Sequence, residues 1–99
     1  MSTDLSIIER TKTVTKGPAQ YKVVFFNDDH TSIDWVIGLL TTIFNHDQIS
    51  AVAIALKIHR KDSAVVGVYS FDIAETKANE AVKLTRAAGF PLSIILKEE

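Results

Sequence analysis

A chain of 99 residues is long enough for one compact domain and too short for two, because domains run to about 100 to 150 residues. Hydrophobic residues make up 46% of it and charged residues 23%, enough apolar side chain to bury a core and to exclude global disorder. The balance of 11 Lys and Arg against 12 Asp and Glu, with no cysteine, excludes a disulfide framework or thiolate site, offers no field to nucleic acid or anionic lipid, and suits the cytoplasm.

Residues 1–18 are polar, rich in Ser and Thr, and close on Gly17-Pro18, a pair that breaks regular structure. They read as a flexible N-terminal extension, with 19–99 as the folded domain; Leu5, Ile7 and Ile8 form a small apolar cluster able to dock on a partner or on the domain. The start Met1-Ser2-Thr3-Asp4 lacks the basic-then-apolar pattern of a secretion signal, and no apolar run nears the roughly 20 residues of a membrane span.

Residues 21–26, Tyr-Lys-Val-Val-Phe-Phe, are strand formers stopped by the turn-forming Asn27-Asp28-Asp29-His30. Ile33, Val36, Ile37, Leu40, Ile43 and Phe44 then recur at helical spacing, with Thr31 and Asp34 as a capping pair, which predicts a first helix over 32–44. Gly38 within it suggests close approach by another element. Asn45-His46-Asp47 breaks the pattern before a second helix over 48–61, whose main apolar stripe is Ile49, Val52, Ala53 and Leu56. Ala51, Ala55, Ile58 and His59 form an adjoining stripe that ends in an imidazole.

Residues 64–71 predict a second strand, with Val66 and Val68 facing one way and Val65 and Tyr69 the other. Asp72 with Glu75 suits a helix start, and Ala74, Ala78, Ala81, Val82, Thr85 and Ala88 give the third helix its buried face. Gly89 and Pro91 end that helix, and residues 92–97 form the last strand, with Leu92, Ile94 and Leu96 in the core. The order is βααβαβ, an α+β two-layer sandwich of a three-stranded antiparallel sheet and three helices.

Asn27, Asp28 and Asp29 gather an amide oxygen and two carboxylates beside a helix start, which serves either for turns and capping or as a receptor for a cation or ammonium group. His59 near a helix end either complements the helix dipole or stands as a polar nitrogen at the rim of an apolar hollow beside Ala55 and Ile58. His30, His46 and His59 lack the spacing of a helical zinc motif, so no metal is expected. There is no serine elbow or phosphate-cradling Gly-rich loop, so no enzyme and no cofactor are expected.

The run from Tyr21 to Thr31, the pair Ile58-His59, and Gly67-Val68-Tyr69 followed by Ala74-Glu75-Thr76-Lys77 resemble the ClpS family, adaptors that bring N-degron substrates to a Clp AAA+ protease. The resemblance spans 18–96 and implies a fold like the C-terminal domain of the ribosomal stalk protein. It implies that Asn27, Asp28, Asp29 and His59 serve the α-amino group of a substrate, with Asp28 shaping the loop. It further implies that Thr31, Ile33, Val36, Leu39, Ala55 and Ile58 line a pocket for a first residue Leu, Phe, Tyr or Trp, and that Asp72, Glu75 and Lys77 face a Clp unfoldase of the ClpA or ClpC type. An α-ammonium offers three donors and a charge where an internal peptide N–H offers one donor, so such a collar selects chain ends. The family usually has methionine where this chain has Ile33 and Ala55, from which the small Ala55 is expected to deepen the pocket for aromatic residues and Ile33 at the rim to hinder β-branched ones. The alternative is a stalk-like docking domain for protein partners, which gives Asn27, Asp29 and His59 no special task.

Overall fold

The computed structural model describes residues 6–9 and 19–99. Along the chain run β1 (Ser6–Glu9), β2 (Gln20–Phe26), α1 (Ile33–Thr42), α2 (Gln48–Lys61), β3 (Ser63–Ser70), α3 (Phe71–Ala87) and β4 (Ser93–Glu98). The expected βααβαβ order is present from β2 onward, with β2 central and antiparallel to both β3 and β4. To this three-stranded sheet β1 adds a fourth, parallel strand on the β4 edge, giving the order β1-β4-β2-β3. Of the extension read as flexible, only these four residues are described, and Ser6, Ile7 and Glu9 pair with β4; Leu5 and residues 10–18 lie outside the described residues.

The core lies between the sheet and the helices. Val23 and Phe25 of β2, Ile94 and Leu96 of β4 and Val66 of β3 meet Leu39 and Leu40 of α1 and the alanines of α3. Phe25 and Phe44 pack edge to face with ring centroids 5.6 Å apart, the geometry aromatic quadrupoles favour.

The α3 face is as its spacing predicts for Ala74, Ala78, Ala81, Val82 and Thr85, all buried, but Ala88 is exposed because the helix has ended there. Gly89, at φ +87°, terminates it: its N–H bonds the Arg86 carbonyl, and the Phe90 N–H bonds that of Thr85, the Schellman arrangement a left-handed residue permits. Thr85, fully buried, accepts a 2.9 Å hydrogen bond from the Trp35 indole and so ties α3 to α1.

Four local expectations are corrected. Ser32, not Thr31, caps α1, its hydroxyl accepting from the Trp35 N–H at 3.1 Å, because the Thr31 hydroxyl is bonded to Asp28. α3 starts at Phe71 with Ser70 as its cap residue, so Asp72 sits in the first turn instead of capping. On α2 it is the stripe of Ala51, Ala55 and Ile58 that is buried, whereas Ile49 and Leu56 are 83% and 40% exposed; small side chains let the helix approach its neighbours closely. In β3 the register shifts between Val23↔Gly67 and Val24↔Val65, a bulge that leaves Val66 buried and Val68 exposed, on opposite sides.

The bulge also brings Gly67 beneath Tyr69, and a Cβ at Gly67 would fall on the Tyr69 hydroxyl and ring. Gly38, by contrast, has open space around it; its carbonyl accepts from the hydroxyls of Thr41 and Thr42.

Candidate functional site

β2 ends at Phe26 and the chain enters the Asn27–Thr31 loop. α2 ends at Asp62, whose φ of 72° places it in the left-handed region, a conformation Asp tolerates better than most residues. That reversal turns the Asp62 carbonyl towards the loop, where it accepts from the Asn27 N–H at 2.8 Å. This one backbone bond fastens the start of the loop to the end of α2, three residues past His59, and so fixes the loop amide and the imidazole to a common edge.

The rest of the loop is folded around Asp28. One carboxylate oxygen accepts from the N–H groups of His30 at 2.7 Å and Thr31 at 2.8 Å, and the other from the Thr31 hydroxyl at 2.7 Å. Burial favours the neutral acid, but the hydrogen bonds from the Thr31 hydroxyl and the two N–H groups, with a smaller contribution from the nearby His30, outweigh it and hold the carboxyl below the ordinary aspartate value. Asp28 therefore serves the loop itself, while the neighbouring Asn27 and Asp29 remain exposed to solvent.

Beneath the loop is a hollow of about 510 Å³, bordered by Asn27, Asp28, Asp29, Thr31, Ile33, Val36, Ala55, Leu56, Ile58, His59 and Leu92. Val36, Ala55, Ile58 and Leu92 are each at most 6% exposed and form its floor. Asn27, Asp29, His59, Ile33 and Leu56 are exposed and form its mouth. An apolar floor with hydrogen-bonding groups and carboxylates at one side of the mouth suits a ligand with a bulky apolar end and an adjacent cationic donor group.

Nearly all the residues expected at this site come together here: Asn27, Asp28, Asp29 and His59 on the polar side, and Thr31, Ile33, Val36, Ala55 and Ile58 on the apolar side. Leu39 does not border the hollow; it is buried in the core, one helical turn beyond Val36 and about 4.5 Å further along α1. Leu56 and Leu92 border it without having been expected to. Leu92 follows Pro91 at the entry to β4 and reads as plain core in sequence, while Leu56 belongs to the stripe of α2 that periodicity assigns inward.

The residues expected to face an unfoldase lie on α3, with Asp72 and Glu75 exposed. Lys77 is half-buried, its ammonium donating to the Ile43 carbonyl at 2.8 Å and lying 5.5 Å from the centre of the Tyr69 ring. His46, one of the three histidines, has its Nε2 2.6 Å from the Val66 carbonyl, which accepts a hydrogen bond from it. Among the described residues, no three His, Asp or Glu side chains gather in a way that would hold a metal ion, and no helix is long and apolar enough to cross a membrane.

Residues 16–95 match the family model described as ATP-dependent Clp protease adaptor protein ClpS. Proteins named ATP-dependent Clp protease adapter protein ClpS from Paraburkholderia phymatum and Paraburkholderia xenovorans are 41% and 40% identical to this chain over 95 residues, covering 96% of it and 91% of each relative. Among solved structures, that of Agrobacterium tumefaciens ClpS2 bound to L-phenylalaninamide matches with a TM-score of 0.81 and 41% identity, covering 84% of this chain and all of the other.

Proposed function

The chain belongs to the ClpS family of ATP-dependent Clp protease adaptors, and from that premise we propose that its hollow receives the first residue of a substrate polypeptide. It is an adaptor, not an enzyme, and it binds N-degron substrates for a Clp protease. The ligand of the Agrobacterium relative, phenylalaninamide, has the two parts this site asks for: a bulky apolar side chain and a free α-amino group.

In the proposed complex the aromatic or leucyl side chain enters the floor of Val36, Ala55, Ile58 and Leu92. The α-ammonium meets the Asn27 carboxamide oxygen, the Asp29 carboxylate and the His59 imidazole, while Asp28 holds the loop. Burying a large apolar side chain contributes about 1.5 to 3 kcal/mol, close to one charge-assisted hydrogen bond, so both halves of the site are needed for useful affinity. Delivery to an unfoldase of the ClpA or ClpC type through Asp72, Glu75 and Lys77, in the cytoplasm, is part of the same proposal; the lack of cysteine supports a reducing compartment.

The observation that carries the reading is that one hollow joins four buried apolar walls to Asn27, Asp29 and His59 at its mouth. It is tested by titrating the protein with a peptide beginning in free Phe and with its N-acetylated twin. The free peptide is expected to bind and the acetylated one to lose at least about a hundredfold, since acetylation removes the charge and two of three donors. Equal affinities would refute the site.

A further inference from the structure

Leu56, at the mouth of the hollow, belongs to an apolar face of α2 that otherwise lies outside it. Along the outer side of α2, Ile49, Val52, Ala53 and Leu56 stand at spacings of three and four residues and so share one face. Ile49 is 83% exposed, Leu56 is 40% exposed and Ala53 is also exposed. With Val52 half-buried between them, these residues leave an apolar stripe largely open to water, and such stripes mark binding surfaces. No acidic residue interrupts α2.

One end of this stripe is Leu56, which also borders the mouth of the hollow. A polypeptide whose first side chain is seated on the floor must leave across that mouth. Building on the pocket proposed above, we propose that the stripe is a second subsite, over which residues two to four of the substrate run in extended form from Leu56 towards Ile49. The seven-residue separation of Leu56 and Ile49 corresponds to about 10 Å of helix, the span of about three extended residues. The stripe thus makes the adaptor a reader of sequence beyond the terminus, favouring apolar over polar side chains there.

Three probes separate this from the pocket itself: phenylalaninamide, a peptide beginning Phe-Leu-Val-Leu, and one beginning Phe-Ser-Gly-Ser, each titrated calorimetrically against the full chain and the double variant Ile49→Gln, Ala53→Gln. Both positions are exposed, so the variant folds; thermal melting checks it. The apolar peptide is expected to bind the wild type about three- to tenfold tighter than the polar one, in keeping with partial burial of two or three side chains. That advantage should vanish in the variant, with phenylalaninamide binding both proteins alike. Equal affinity of the two peptides for the wild type, or an advantage that survives in the variant, overturns the subsite while leaving the pocket standing. Failure of phenylalaninamide to bind the wild type overturns the pocket and the subsite together. A variant that changes only self-association in sedimentation assigns the stripe to a second copy of the chain and also overturns the proposal.

Discussion

The Lys77 ammonium donates to the Ile43 carbonyl at 2.8 Å, joining α3 to the residue that closes the C-terminal end of α1. The same ammonium lies over the Tyr69 ring, whose position depends on Gly67 having no side chain. A residue expected to meet the unfoldase is thus also a strut between two helices, placed where a cation complements the α1 dipole.

Replacing Lys77 by Met keeps the stem and removes the charge. The variant is expected to lose about 1 to 2 kcal/mol of stability, from a charged hydrogen bond and a cation–π contact. Urea unfolding measures this. Binding of a free Phe peptide should be unchanged, because Lys77 does not border the hollow. A stability equal to the wild type would show the strut to be idle.

Ala55 is buried in the floor of the hollow and Ile33, 44% exposed, stands at its mouth. Ala55→Met should fill the floor and weaken peptides beginning Trp by about tenfold relative to those beginning Leu, the discrimination a methylene or more produces in an apolar pocket. In the wild type, a peptide beginning Phe should bind more tightly than one beginning Ile, whose branched Cβ meets Ile33. Competition titrations with the four first residues decide both points, and equal binding of Ile and Phe would remove Ile33 from the selectivity.

Asp28 titrates below the ordinary aspartate value because the loop bonds its charged form. A depressed folded-state value means that its contribution to stability is fully present above the unfolded value, about pH 3.9, and is lost as the pH falls through the folded one. The stability gap between the wild type and Asp28→Asn should therefore stay constant from neutral pH down to about pH 4.5 and close below it. Urea unfolding at a series of pH values checks this; a gap that widens on acidification would reverse the assignment.

Much of the fold was legible because local chemistry decides it. Runs of strand-forming residues gave β2 and β4, and Gly89 ended α3. The loop of Asn27 to Thr31 was legible as a concentration of turn and acceptor residues. Which of α2's two apolar stripes faces inward was not: both repeat at helical spacing, and the choice goes to Ala51 and Ala55 only because small residues let neighbouring elements close on them. Leu56 borders the hollow for the same reason, while Leu39, one turn beyond Val36 on α1, falls in the core instead.

Residue types and spacing by themselves determined the element order and supplied the parts of a binding site: acceptors in one loop, an imidazole at one helix end, apolar residues on two helices. Tertiary structure decided how those parts meet. The Asn27 to Asp62 backbone bond joins a loop and a helix end 35 residues apart, the β3 bulge sets which valines face the helices, and the parallel pairing of β1 with β4 engages residues that look unstructured in sequence. Each depends on partners distant along the chain, which local propensity cannot encode.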